Sequence, residues 1–168
     1  MTDVLANLAP HFFQVAYVVP DLPAAEQWFQ RVWGVPKFVR MEKVTFGEGC
    51  RYRGRPANAV VDLSLGFAKE TQVELIQSLQ GPSIYTEFLD AKGPGLHHVA
   101  FAVPDFPAAV VHMRAAGLES ILDGTMSTGM RVDFAYFDCD AQGASVIELL
   151  GFDDAAWAFM QQLKAGTI

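Results

Sequence analysis

Two carboxylates stand where a carboxylate is costly. Glu74 lies in the run Val73-Glu74-Leu75-Ile76, and Glu148 lies in Ile147-Glu148-Leu149-Leu150. A buried, unpaired carboxylate costs several kcal/mol unless it ligates a metal or meets a cation. Neither run contains a Lys or Arg to serve as a local partner. Two further donors stand near the start of apolar, β-prone runs: Gln14 in Phe13-Gln14-Val15-Ala16 and His98 in His98-Val99-Ala100. Gln14, Glu74, His98 and Glu148 together are four O/N donors. They suit an octahedral divalent metal with two positions left for solvent or substrate. Any one of them alone reads as a solvated residue at a strand end; their symmetric placement favours a metal site.

That symmetry comes from a repeat. Residues 14–25 (QVAYVVPDLPAA) and 98–109 (HVAFAVPDFPAA) agree at 8 of 12 positions, at an offset of 84 residues. The period is too long for a solenoid and fits a duplicated module. In the first copy, 13–19 reads as a strand and Pro20 stops it. Asp21 and Pro23 start a helix over 24–32, and Gly34 ends it. Strands follow at 37–46, 59–67 and 72–77, with 47–56 as a turn-rich loop. The second copy repeats this order: a strand at 96–103, a helix from Asp105 to Gly117, and strands near 120–122, 131–137 and 145–150. The fold class is α+β, with two tandem βαβββ modules at 1–80 and 96–151. Residues 81–95 link them through a short helix at 82–91. Residues 152–168 hold a C-terminal helix over 153–164, expected to cover a sheet edge or a dimer surface.

Alternation sends successive strand side chains to opposite faces. Gln14 shares its face with Ala16 and Val18, and His98 shares its face with Ala100 and Ala102. The bulky set Phe13, Val15, Tyr17 and Val19, with Val99, Phe101 and Val103, points the other way. Small residues beside a polar one leave space for a ligand; bulky faces suit packing against helices. This alternation places His97 on the face opposite His98, as a structural residue. His11 and His112 read as surface residues. Arg51, Arg53 and Arg55 could grip an anionic substrate tail, although a solvated loop is the commoner meaning of such a run.

The bulk composition narrows the partners. Half the residues are apolar and 18% are charged, so a core is available. The net charge of −7 argues against nucleic acid, which needs a basic face. Cys50 and Cys139 lack metal-finger or redox spacing and read as ordinary thiols in a reducing compartment. The N-terminal residues show no secretory signal, and no apolar run is long enough for a membrane span. A cytoplasmic protein acting on a small molecule is the expectation.

The paired strand openings QVAYVVPDLPAA and HVAFAVPDFPAA, with the endings VELI and IELL, make the chain resemble the vicinal oxygen chelate superfamily of glyoxalases, bleomycin-resistance proteins and dioxygenases. The stretch GPSIYTEFLDAKGPGLHHVAF is most similar to the methylmalonyl-CoA epimerase and glyoxalase-like branch. The resemblance implies sheets curled around a central cleft that holds a divalent metal. The family's ligand positions fall on Gln14, Glu74, His98 and Glu148. Zn, Ni, Co and Mn are all candidates, and a homodimer is the expected assembly. The cleft closes either between the two modules of one chain or between modules of two chains.

A metal holding two substrate oxygens acts as a Lewis acid and stabilises an enediolate or enolate. Glu148 is the first candidate for the base that moves the adjacent proton, and Glu74 the second. The expected activity is that of an isomerase, epimerase or lyase on a thioester or α-hydroxy carbonyl compound. The alternative is a sequestering protein of the bleomycin-resistance type, whose cleft wall could include Trp28, Tyr85 or Tyr136. An extradiol-type dioxygenase fits less well, because such a site uses two His ligands and only one His falls on a ligand position.

Overall fold

The computed structural model describes residues 8–127 and 129–168. Residues 1–7, read above as carrying no targeting signal, and Thr128 lie outside the described residues. The strands are β1 (Phe12–Val18), β2 (Phe38–Thr45), β3 (Arg51–Tyr52), β4 (Arg55–Pro56), β5 (Val60–Ala68), β6 (Thr71–Gln80), β7 (Gly95–Ala102), β8 (Ser120–Ser127), β9 (Arg131–Phe137) and β10 (Val146–Phe152). The helices are α1 (Leu22–Trp33), α2 (Ile84–Lys92), α3 (Phe106–Ala115) and α4 (Asp154–Ala165). Among the described residues no helix is long and apolar enough to cross a membrane.

Local chemistry explains the helix starts. Asp21, Asp105 and Asp153 each accept the backbone N–H three residues on, which satisfies a donor the helix itself cannot. Ser83 and Thr86 form a reciprocal capping box that opens α2. Gly34 closes α1 in the left-handed region, at φ 71°.

All ten strands form one sheet, in the order β2-β5-β6-β1-β7-β10-β9-β8-β3-β4. The two openers β1 and β7 pair antiparallel at its centre, and each also pairs parallel with the last strand of its own copy, β6 or β10. The sheet must curl. From β2 to β8 it crosses seven inter-strand spacings, about 34 Å if flat. Yet the six residue steps from Thr45 to Arg51 reach at most about 22 Å, and β3 is bonded to β8. Helices α1 and α3 cover the outer face, over Val73 and Leu75 and over Phe137 and Leu149 respectively. Helices α2 and α4 pack on the inner face, where Ile84, Tyr85, Met160 and Leu163 join Ala16, Val18 and Ala100.

Several expectations change. The loop at 47–56 holds the β3–β4 hairpin, which extends the far edge of the second copy's half of the sheet, with Arg51 opposite Asp123 and Tyr52 opposite Leu122. Helix α4 does not cover a sheet edge; its residues Phe159 and Met160 line the cleft itself. Two register shifts between β1 and β7 move one residue each. Phe13 is the extra residue in β1, and it packs inside with Phe67 and Phe152 rather than under a helix of the outer face. His97 is the extra residue in β7 and is treated below. Cys50 and Cys139 are buried free thiols.

The hairpin docks through a glycine. A Cβ on Gly124 of β8 would stand 2.8 Å from Cys50 Cα, closer than packed atoms tolerate. Gly124→Ala is therefore expected to cost about 1–3 kcal/mol by overpacking, read as a lowered midpoint in urea unfolding. An unchanged midpoint would mean that the hairpin yields freely.

Candidate metal centre

The strand register builds the site as two crossed rows. Ala16 of β1 pairs with Glu74 on one side and His98 on the other. Ala100 of β7 pairs with Gln14 on one side and Glu148 on the other. Each carboxylate thus shares a row with the donor from the opposite copy, separated by an alanine. The outer strands of a row are about 9–10 Å apart, so long side chains must lean inward over the alanine to meet. Ala16 and Ala100 are fully buried and form the floor beneath them. Within this chain the strands of the two copies bring all four donors to one cleft.

The four side chains are 8% exposed or less. Ligand atoms of Glu74, His98 and Glu148 all lie within 4.8 Å of one another. His98 Nε2 is 3.1 Å from Glu148 Oε2 and 3.4 Å from Glu74 Oε2. Among the described residues, His98 Nε2, Glu74 Oε2 and Gln14 Oε1 are nonetheless buried without a hydrogen-bond partner. The atoms converge on a shared space instead of bonding to each other. That is how the ligands of an ion are arranged, and buried orphan polar atoms otherwise carry a penalty. A hard or borderline divalent cation fits this O/N donor set.

Electrostatics agree. Burial alone would lower the His98 pKa, but Glu148 and Glu74 outweigh it and push it up to about 9. Burial raises the Glu74 pKa, with His98 opposing. The protein thus concentrates negative charge that either a proton on His98 or a metal can neutralise.

Three supporting contacts were not legible in the sequence. His97 Nδ1 lies 2.9 Å from His98 Nδ1. The bulge removes His97 from the face of Val99 and Phe101 and stands it against Tyr85 and Phe88 of α2. Burial, then the neighbouring charge of His98, lowers the His97 pKa to about 3, so its ring is neutral. A neutral His97 accepting from His98 Nδ1–H leaves His98 Nε2 free as a ligand, the usual outer support of a metal-bound imidazole. Tyr85 donates to the Tyr136 hydroxyl at 3.1 Å, and Tyr136 in turn adjoins Glu148. Burial holds both phenols well above their ordinary pKa, so they remain donors. Gln72 faces Gln14 across the β1–β6 pair and donates to Met160 Sδ. The His97-His98 dipeptide was a visible signal, but strict alternation misassigned its first member.

Other candidates lie elsewhere. Trp28 is on the exposed side of α1 against Phe29, away from the cleft, whereas Tyr85 and Tyr136 do line it. Arg53 is held in a two-point ion pair with Glu87. Arg51 is tied to the Glu48 carbonyl, so neither points into the cleft.

The family model described as the Glyoxalase/Bleomycin resistance protein/Dioxygenase superfamily matches residues 13–136. The chain belongs to that superfamily. Among solved structures it is similar to the methylmalonyl-CoA epimerase of Mycobacterium tuberculosis, at 22% identity and a TM-score of 0.67, over 90% of this chain and 93% of that one. It is also similar to a hypothetical protein of Bacillus halodurans, at 16% identity and a TM-score of 0.64, over 85% and 94%. A Streptomyces coelicolor methylmalonyl-CoA epimerase variant in complex with 2-nitronate-propionyl-CoA matches at 17% identity and a TM-score of 0.60, over 87% and 96%. At these identities the likeness speaks for the fold. No curated protein is significantly similar.

His98→Ala is expected to abolish stoichiometric divalent binding, measured by elemental analysis after reconstitution with Zn, Ni, Co or Mn. Wild-type metal content in that variant would remove His98 from the site. His97→Ala should weaken metal affinity about 10–100-fold in competition with a chromophoric chelator, while the bound stoichiometry at saturation stays the same.

Proposed function

We propose that this chain is a metal-dependent isomerase of the epimerase type, moving a proton on the carbon next to a carbonyl. One observation carries the reading: two buried carboxylates, Glu74 and Glu148, flank His98 and face into a ligand-sized cleft. Superfamily membership and a fold shared with epimerases support it. Gln14, Glu74, His98 and Glu148 would hold the metal, which supplies Lewis acidity at the substrate oxygens.

The chain's own residues do the rest. Glu148 takes the α-proton on an Oε, and the Tyr136 hydroxyl beside it keeps that carboxylate oriented. Glu74 reaches the site from the opposite half of the sheet, so a proton removed on one face can be replaced on the other. The deep burial of both carboxylates excludes water and keeps the base unsolvated. The substrate is a thioester or an α-hydroxy carbonyl compound with two oxygens close to the reacting carbon.

Glu148→Gln keeps an oxygen donor and the shape but removes the base. Exchange of the α-proton in D₂O, followed by NMR, should fall at least about a hundredfold, with metal content largely retained. Exchange at the parent rate would make Glu148 a ligand only and place the base elsewhere. Sequestration without catalysis is the competing reading, and it gains support if the metal-loaded protein binds carbonyl compounds yet exchanges none of them.

A further inference from the structure

The cleft beyond the metal ligands is almost entirely hydrocarbon and thioether. Of the twenty described residues that line it, fourteen are apolar, and none is Lys, Arg, Asn, Ser or Thr. The polar six are Gln14, Gln72, Glu74, Tyr85, Tyr136 and Glu148. Five of these form the site and its aromatic supports, and Gln72 beside them is turned to Met160. Among the described residues nothing else polar meets the distal part of a substrate. A charged or hydroxylated group placed there would lose its hydration without compensation, next to two carboxylates.

The space is also larger than a methyl group needs. Its interior is about 120 Å³, close to the roughly 150 Å³ of a dry apolar cavity that accepts benzene. Met41 of β2, Met126 of β8, Met160 of α4 and Met130 of the turn before β9 reach the wall from different parts of the chain. Unbranched thioether side chains repack around varied shapes, so the wall can follow a bulky group. Phe134 and Phe159 add flat surfaces. Met160 and Phe159 belong to α4, so the C-terminal helix is itself part of the substrate wall.

We infer that the substrate lodges a bulky hydrocarbon group in this cleft, ring-sized or branched, attached at the carbon whose proton is moved. This rests on the proton-transfer reading above. It differs from that reading in committing to the substituent: a methyl group alone would leave most of the cleft unfilled. The chemical class is a 2-alkyl or 2-arylalkyl acyl compound whose two oxygens face Gln14, Glu74, His98 and Glu148.

Two measurements test it separately. With ¹³C-methyl methionine in the full chain and no metal added, propylbenzene should shift the methyl signals of Met41, Met126, Met130 and Met160. Met113, on the buried side of α3 in the outer cluster, should not move. The inference is overturned if the four stay fixed, or if Met113 shifts as much as they do. On the metal-loaded protein, benzylmalonyl-CoA should exchange its α-proton with a kcat/KM at least about tenfold above methylmalonyl-CoA. The two share both oxygens and differ only in the substituent. Measurable exchange at equal or inverted rates overturns the inference. If propylbenzene shifts the four methyls but neither thioester exchanges, the hydrocarbon cleft stands and the proton-transfer reading fails.

Discussion

The structure depends on bringing two carboxylates and an imidazole together out of water. Glu74 and Glu148 repel each other, and each is costly to bury alone. The antiparallel pairing of β1 with β7 forces the meeting, because it places Ala16 between Glu74 and His98 and Ala100 between Gln14 and Glu148. Positive charge at the centre, whether a His98 proton or a cation, makes that arrangement tolerable. The rest of the fold can be understood as the framework that holds these strands in register against the repulsion. Helices α1 and α3 clamp the outer face of the two halves, and the inner face is left for chemistry.

Tight support and open space are divided between the two ends of the cleft. On the β7 side, His97, Tyr85 and Tyr136 supply hydrogen bonds and edge-on ring contacts that orient His98 and Glu148. On the other side the wall is methionine and phenylalanine, with few directional contacts. The proposed acid–base chemistry needs its reacting groups held to a fraction of an ångström, whereas apolar recognition needs only area and shape. The division of residue types follows these two demands. It also accounts for α4, which contributes apolar side chains to the wall and no titratable group to the ligand set.

The superfamily fold serves many reactions, so the site must decide which one. A single imidazole among the candidate ligands, with two carboxylates, is the donor set on which the proposed proton movement, rather than oxygen activation, rests. The carboxylates come from opposite halves of a pseudo-symmetric sheet, which is the arrangement a reaction needs if it works on both faces of a planar carbon. In the proposed reaction, the apolar cleft beside them would bear on the size of the group that carbon carries.

The sequence by itself determined what depends on neighbours along the chain. The repeat, the caps at Asp21, Asp105 and Asp153, and the alternation along β1 and β7 placed Gln14, Glu74, His98 and Glu148 on inner strands. Periodicity and capping are local, so residue order suffices to read them. The tertiary structure decided what depends on pairing between distant segments. Two bulges turned Phe13 inward and moved His97 beside His98, because a register shift is set by the partner strand and breaks the period of two. The β3–β4 hairpin joined β8, and α4 closed over the cleft, because each buries surface against residues roughly seventy or more positions away. The Tyr85–Tyr136 pair arose from a linking helix and a distant strand, and no spacing in the chain encodes their meeting.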